Sequence, residues 1–319
     1  MLINIIIPAY NAHKTIEQTL FSIAIQDMVK DIKVYIINDA SDNDYNEIVK
    51  YFSQFLNIEE LILDKNSGPG VARQYGLDHS NGKYIIFMDS DDVLSDFFAV
   101  NNMVNTIMNG DNDVAITTFV EEGKNQFISY ENSHIWLHGK IYKREFLQKN
   151  DIRFNDSRVN EDNGFNQLLL LSNAKVAVSS RKTYIWRYNE QSITRRNNNE
   201  YRFKGLEGYS YNIIWSINCA LERNYDKRKI IHSAFKFLVA MYHYYLEFIE
   251  LKESKQIILN SKEIYMILKK YEDYISDEEK ISIMRMQTSQ LFNGYIHKNL
   301  LFPKLTFDQF LALIASEVK

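Results

Sequence analysis

The sequence contains little cysteine, proline or glycine. Of its 319 residues, one is cysteine (Cys219), three are proline and 11 are glycine. A single cysteine excludes an intrachain disulfide and is typical of a reducing compartment, so we expect a cytoplasmic protein. So few prolines and glycines exclude collagen-like and low-complexity chains. We therefore expect the fold to be held by an ordinary hydrophobic core.

Long apolar runs and an excess of either charge are also absent. No apolar stretch approaches the roughly 20 residues that a membrane-spanning helix needs. The first residues lack a basic leader and reach Pro8 early, so we expect no signal peptide. Attachment at the inner membrane face stays open. The net charge of −4 offers no electrostatic footprint for general nucleic-acid binding.

The first two hundred residues alternate short apolar runs with helical patterns. Such alternation predicts a mainly parallel sheet covered by helices on both faces. The predicted strands are 3–7, 32–37, 61–63, 84–88, 114–118, 175–179 and 183–188, and the predicted helices are 15–26, 45–55, 71–79, 97–108 and 163–172.

The pattern changes near residue 200. No glycine or proline occurs between Gly208 and Gly294, and apolar residues recur at three- and four-residue steps from Ile231 to Ile249. This spacing predicts amphipathic helices, with others over 257–271, 281–292 and 307–314. We therefore predict an α/β domain over 1–200 and an all-α domain over 201–319 that binds the acceptor or mediates self-association, with the polar run 195–199 as the boundary.

Three carboxylates follow the apolar run 84–88: Asp89, Asp91 and Asp92. Negative charge at the edge of a core is costly unless a cation or a hydrogen-bonded network compensates it. Carboxylate oxygens suit Mg²⁺ or Mn²⁺, and ligands of open α/β sheets bind beyond the carboxyl ends of the strands. The alternative is a solvated turn or a helix cap.

Seven segments, in this order, resemble family 2 glycosyltransferases, which have the GT-A fold and transfer a sugar from a nucleotide diphosphate. They are Ile-Ile-Pro-Ala-Tyr-Asn (6–11), Ile-Asn-Asp-Ala-Ser-Asp (37–42), Asn66 with Gly68, Ala72, Arg73 and Gly76, the stretch 82–92, His138-Gly-Lys-Ile-Tyr-Lys-Arg-Glu-Phe (138–146), Asn160-Glu-Asp (160–162) and Tyr-Ile-Trp-Arg-Tyr-Asn-Glu-Gln-Ser-Ile-Thr (184–194). The resemblance covers about the first 195 residues. It implies a GT-A domain followed by the helical region.

The resemblance also implies a donor site. Its residues would be Pro8, Ala9, Tyr10, Asp39, Asn66, Gly68, Arg73, Asp89, Ser90, Arg187 and Ser192, with Asp91 and Asp89 as ligands of Mn²⁺ or Mg²⁺. Asp39 would contact the nucleoside, unless it forms an Asx-turn or caps the next helix. Arg73 would pair with the diphosphate or with an aspartate of the acidic cluster. Arg187 would clamp the phosphates, or be a surface arginine.

Catalysis is expected from the acidic pair Glu161 and Asp162. By resemblance Asp162 is the general base, and Glu161 holds the acceptor or orients the site. Alternatively, the pair only stabilises the N-terminus of a helix that follows it. His138 and Trp186 are expected at the acceptor pocket. Asp92 is expected to cap a helix near residue 95 or to brace the loop.

Two departures from the family pattern matter. Family members often carry a histidine where this chain has Asn189 or Glu190, which weakens the case for a ligand from this loop. The Gln-x-x-Arg-Trp signature of processive members is absent, so we expect one sugar per encounter.

The predicted function is metal-dependent, inverting transfer of a hexosyl or N-acetylhexosaminyl group. The donor would be a UDP-sugar, and the acceptor hydroxyl would belong to a glycan, wall polymer, glycoprotein or modified nucleic acid. One alternative is a non-catalytic sugar-nucleotide-binding or assembly protein that retains the fold. A nucleotidyltransferase is disfavoured because the segment 11–15, after the first strand, contains no glycine.

Overall fold

The computed structural model describes residues 2–189, 199–249, 254–294 and 305–318, without the side chains of 199–204 and 288–294. The chain divides into two compact units, Met1–Tyr201 and Arg202–Lys319.

The first unit is an α/β domain. Its elements are β1 (Ile3–Ala9), α1 (Ile16–Ala24), β2 (Ile32–Asn38), α2 (Asn46–Phe52), β3 (Asn57–Ile62), α3 (Pro69–His79), β4 (Tyr84–Phe87), β5 (Val93–Leu94), α4 (Ala99–Met108), β6 (Val114–Glu122), β7 (Phe127–Tyr130), β8 (Lys140–Lys143), α5 (Arg144–Lys149), α6 (Glu161–Leu171) and β9 (Val176–Trp186).

The strands form one mixed sheet in the order β3-β2-β1-β4-β8-β6-β9-β5, with β7 paired to β6. The strands β1 to β4 pair in parallel, and the antiparallel pairings begin where β8 joins β4. The isoleucines of β1 and β2 are fully buried because helices cover both faces of the sheet. The carboxyl ends of β1, β2 and β4 therefore meet at one edge.

Three predicted details were wrong. β9 is one strand rather than two; its exposed polar stretch 180–182 coincides with a β-bulge, where the register against β6 shifts near Thr118. Four elements, β5, α5, β7 and β8, were not predicted: β5 and α5 are short, β7 is an exposed edge strand, and β8 has a lysine at a buried position. The helix α6 begins at Glu161, so the acidic pair lies inside its first turn instead of preceding it.

The second unit is helical, as predicted. Its helices are α7 (Asn199–Glu222), α8 (Lys227–Phe248), α9 (Ser254–Lys270), α10 (Asp277–Gly294) and α11 (Phe307–Ser316). Asp226 caps α8 by accepting from the backbone N–H of Arg228, and the predicted apolar seam of α8 is buried at Ile231, Phe235 and Leu238. Within the described ranges, none of the helices has both the length and the hydropathy of a membrane span.

Candidate active site

The candidate site lies at the sheet edge where β1, β2 and β4 end. Tyr10 follows β1 directly and exposes 53% of its surface, whereas Ala9 is buried within the strand and Pro8 is half-buried. Asp39 follows β2, and Asp89 lies two residues beyond β4. Of these three residues, all expected in the donor site, Tyr10 is the most exposed, so its ring is available to a ligand.

Asp39 holds the turn that enters α3. Its buried carboxylate accepts from the backbone N–H groups of Ser67 (2.7 Å) and Gly68 (2.8 Å). Gly68 has φ +91°, a left-handed conformation that favours glycine. The turn after β2 is held instead by Asn38, whose Oδ1 accepts from the Ser41 N–H, three residues on, at 2.8 Å. Both oxygens of Asp39 thus have a backbone donor, and this fixes the loop beside the expected nucleoside position.

Asn66 connects this turn to an arginine that the sequence analysis missed. Its Nδ2 donates to the Asp39 carbonyl oxygen at 3.3 Å. The exposed Arg158 donates to the Asn66 side-chain oxygen at 2.9 Å and to its backbone oxygen at 2.7 Å. Arg158 belongs to an irregular loop, so no periodic signal marks it. Its guanidinium adds a positive charge at the rim of the site.

Arg73 connects the two acidic motifs. The guanidinium, on α3, donates to Asp89 and to Glu161. Although burial would lower the pKa of Arg73, the charges of Asp89 and Glu161 raise it. Burial would likewise raise the pKa of Asp89, but the Arg73 charge and His138 hold it well below its usual range. Asp89 is therefore ionised and one-third exposed, with a side-chain exposure of 34%.

The other two aspartates of the cluster have different surroundings. Asp92 is fully buried and accepts from the Tyr184 hydroxyl (2.6 Å) and the Arg187 N–H (2.8 Å). It braces the end of β9 rather than capping a helix. Asp91 is half-buried and accepts from the Asn189 amide at 2.9 Å. Burial and the negative charge of Asp89 raise the pKa of Asp91. The same two causes raise the pKa of Asp92 well above its usual value.

His138 lies against these carboxylates. Its Nε2 is 3.5 Å from Asp89 Oδ2 and 3.8 Å from Asp92 Oδ2. In the part of the chain that the structure describes, the ligand atoms that converge within 4.8 Å of one another belong to Asp89, Asp92 and His138, and Asp91 is outside this group. Two carboxylate oxygens and one imidazole nitrogen suit a divalent ion such as Mn²⁺. These residues would fit a metal, and His138, which was expected at the acceptor pocket, is one of the three.

Aromatic rings surround His138. It stacks on Tyr184 at 4.8 Å between ring centroids and lies 5.4 Å from Trp186. Trp136, which the sequence analysis did not select, lies 5.3 Å from Trp186. Both indoles are half-buried, so they form an apolar wall beside the acidic cluster.

Asp162 lies in the first turn of α6, next to Glu161. Its carboxylate accepts from the Asn163 N–H at 2.8 Å. Burial and the charge of Glu161 raise the pKa of Asp162 to about 7, against the opposing charge of Arg73. The helix-dipole explanation fits the position of the pair, but it does not account for the buried ion pair of Glu161 with Arg73. A carboxylate with this pKa can accept a proton near neutrality.

The remaining predicted residues are placed as follows. Arg187 donates through Nε to Glu122 at 2.8 Å and through a terminal nitrogen to Gln18 at 3.0 Å, so its guanidinium is held by protein groups. Ser90 is half-buried between Asp89 and Asp91. Ser192 lies outside the described residues.

Comparison with known proteins agrees with this geometry. Residues 4–160 match the sequence model of glycosyl transferase family 2. The glycosyltransferase GlyA of Streptococcus pneumoniae is 27% identical over 222 residues, which cover 60% of this chain and 31% of GlyA. The poly(ribitol-phosphate) beta-N-acetylglucosaminyltransferase TarS of Staphylococcus aureus is 29% identical over 202 residues, 58% of this chain and 35% of TarS. The chain thus matches about a third of the length of these curated relatives.

Solved structures give the same fold. The crystal structure of S. aureus TarS 1-349 in complex with UDP-GlcNAc superposes with a TM-score of 0.74 at 20% identity, covering 99% of this chain and 91% of that one. The mannosyltransferase PcManGT of Pyrobaculum calidifontis, in complex with GDP-Man and Mn²⁺, superposes with a TM-score of 0.53 at 14% identity, covering 99% and 86%. Residues 4–160 thus belong to glycosyl transferase family 2, and the chain has the GT-A fold.

Proposed function

We propose that this protein transfers one sugar from a UDP-sugar to an acceptor hydroxyl, with inversion at the anomeric carbon and Asp162 as the general base. The observation that carries the proposal is the contact chain from Glu161 through Arg73 to Asp89. It joins the helix that bears Asp162 to the acidic cluster at the carboxyl end of β4. A base and a donor site are thereby supported at the same sheet edge, as a single displacement requires.

In this reaction the oxygen of the acceptor hydroxyl attacks the anomeric carbon, and Asp162 accepts the proton of that hydroxyl. The new carbon–oxygen bond forms while the bond to the diphosphate breaks, and UDP leaves. A positioned base typically contributes about 10²- to 10⁴-fold in rate. Asp89 with His138, and either Asp92 or Asp91, would hold Mn²⁺ or Mg²⁺. When bound, this ion would supply positive charge beside the departing diphosphate.

The donor and acceptor classes come from the relatives. TarS was solved with UDP-GlcNAc, which favours a UDP-N-acetylhexosamine over the GDP-sugar bound by PcManGT. The name of TarS specifies a poly(ribitol-phosphate) acceptor, so a polyol-phosphate wall polymer is the acceptor class that we favour. Cytoplasmic location and self-association through the helical unit stay predictions.

Calorimetric titration of UDP, UDP-GlcNAc, UDP-glucose and GDP-mannose, with and without Mn²⁺, tests the donor site. We expect UDP and a UDP-sugar to bind in a metal-dependent manner. Binding should weaken at least tenfold in His138→Gln. Asp91→Asn should weaken it to the same extent if Asp91 completes the site, and should leave it unchanged if Asp92 does. The matched control is Asp111→Asn, because Asp111 is an exposed aspartate whose partner is Lys143. If none of the four nucleotides binds wild type in Mn²⁺, the proposed donor site is wrong.

Turnover separates the enzyme from the non-catalytic alternative. UDP release from UDP-GlcNAc would be followed with poly(ribitol-phosphate) and with simple glycans as acceptors. We expect release to depend on the acceptor and to disappear in Asp162→Asn. Tight donor binding with no release on any acceptor would favour a binding or assembly protein.

A further inference from the structure

A buried lysine lies beneath the acidic pair. Lys140, on β8, is 1% exposed, and its Nζ donates to Asn166 Oδ1 at 3.0 Å. In the described ranges no carboxylate lies within ion-pair distance of Nζ. Burying an amino group without a direct counter-charge is costly, and the reaction steps described above do not use it.

The partner of Lys140 is the buried side-chain amide of Asn166, whose nitrogen and oxygen each have two hydrogen-bond partners. Asn166 is 2% exposed and lies on α6, one turn after Asp162. Its Nδ2 donates to the Asp162 carbonyl oxygen (3.0 Å) and to the Ile135 carbonyl oxygen (2.7 Å). Its Oδ1 accepts from Lys140 and, at 3.4 Å, from the Tyr142 hydroxyl.

These contacts fix the orientation of the Asn166 amide. Carbonyl oxygens only accept, so Nδ2 must face Asp162 and Ile135, and Oδ1 must face β8. Lys140 supplies the short donor on that side. Without it, Oδ1 would keep only the longer contact with Tyr142, and a buried acceptor would be poorly satisfied. The Ile135 carbonyl belongs to the loop that leads into Trp136 and His138, so Asn166 joins this loop to the first turn of α6.

We propose that Lys140 is a positioning residue: through Asn166 it holds the first turn of α6, with Asp162, against the loop that carries Trp136. The inference rests on the proposed function, because it requires Asp162 to be the base. Lys140 itself is too deeply buried, and too fully engaged with Asn166, to contact substrate. Its effect is on the placement of the carboxylate relative to the acceptor.

The test compares Lys140→Met with the matched control Lys143→Met, which removes a lysine of the same strand that pairs with Asp111 near the surface. In Lys140→Met we expect kcat to fall at least tenfold, while KM for the UDP-sugar and the Kd of UDP stay within twofold of wild type. A general loss of structure would weaken donor binding as well, so this split distinguishes positioning from instability. Lys143→Met should keep kcat, the KM for the UDP-sugar and the Kd of UDP at their wild-type values. A wild-type kcat in Lys140→Met would overturn the proposal.

A second variant decides the question if Lys140→Met fails to bind UDP. Asn166→Ser keeps the lysine but is too short to reach both carbonyl oxygens. We expect the same fall in kcat at unchanged donor KM, and a wild-type kcat would overturn the proposal. Asp162→Asn separates the two levels of inference. If it transfers sugar normally, the proposed base is wrong; if it is inactive while Lys140→Met and Asn166→Ser are fully active, only the positioning role is wrong.

Discussion

Arg73 and Glu161, separated by 88 positions in the sequence, form an ion pair in which both side chains are at least nine-tenths buried. Arg73 belongs to α3, which follows the loop of Asn66 and Gly68, and Glu161 belongs to α6, which bears the proposed base. The pair therefore joins these two helices. The second carboxylate on the same guanidinium, Asp89, extends this link to the acidic cluster.

Removing the cation of this network should destabilise the protein strongly. Arg73→Met leaves Glu161 buried without a counter-charge, and breaking a buried pair in this way costs about 3 to 5 kcal/mol. The double variant Arg73→Met/Glu161→Gln should recover a large part of the loss, since it also removes the stranded charge. Urea denaturation at pH 7 measures both. A double variant no more stable than Arg73→Met would show that Glu161 is not the source of the cost.

Removing the proposed base should slow transfer strongly and spare donor binding. Asp162→Asn keeps the size of the side chain and its place in the first turn of α6. We expect kcat to fall by about 10²- to 10⁴-fold, with the Kd of UDP unchanged, in a UDP-release assay. Asp273→Asn, at an exposed position in the second unit, is the control and should be fully active.

The activity should rise with pH through neutrality. Burial and Glu161 raise the pKa of Asp162 to about 7 from an ordinary value of 3.8, and the base works only when it is ionised. We therefore expect kcat to be half-maximal near pH 7, where half of Asp162 is ionised, and to level off at higher pH. A profile of kcat between pH 4.5 and 8.5 is the measurement. A kcat that is half-maximal near pH 4 instead would show that the surroundings of Asp162 do not raise its pKa.

The same pKa predicts that Asp162 lowers stability at high pH. Between about pH 4 and 7 the folded protein keeps a proton on Asp162 that the unfolded chain has lost, so wild-type stability falls as the pH rises through this window. Asp162→Asn carries no such charge. It should therefore be more stable than wild type at pH 8, and this advantage should shrink towards pH 4. Equal differences in denaturation midpoint at the two pH values would contradict the prediction.

The sequence predicted those parts of the fold that are buried on both faces. In β1, β2 and β4, burial on both faces produces mainly apolar runs. The carboxyl ends of these strands place Asp39 and Asp89 at one edge of the sheet. The sequence pattern did not reveal an exposed strand such as β7. It also did not reveal β8, which contains a polar residue, Lys140, with a hydrogen-bond partner inside the protein. A pattern of hydrophobicity cannot report a hydrogen bond to a residue on another element.

The site was predictable as a set of motifs but not as a set of contacts. The resemblance selected Arg73, Glu161 and Asp162 separately, yet nothing in the sequence paired Arg73 with Glu161. The roles of Arg158 and Trp136 were missed because both lie in irregular loops without periodicity. Long-range contacts of this kind depend on how α3 and α6 pack, which the sequence pattern does not specify.

The position of α3 on the sheet depends on Gly76, which lies one turn after Arg73. A Cβ atom at Gly76 would approach the Ile6 Cγ2 atom to 2.5 Å and the Ile37 Cδ1 atom to 3.1 Å. The backbone of α3 therefore rests directly on the side chains of β1 and β2, and the gap between helix and sheet has no slack. A methyl group added there would push α3 outward and carry the Arg73 guanidinium away from Asp89 and Glu161. A small uncharged residue under the helix thus sets the alignment of three charged side chains, those of Arg73, Asp89 and Glu161. Gly76→Ala would weaken their ion pairs without altering any of the three.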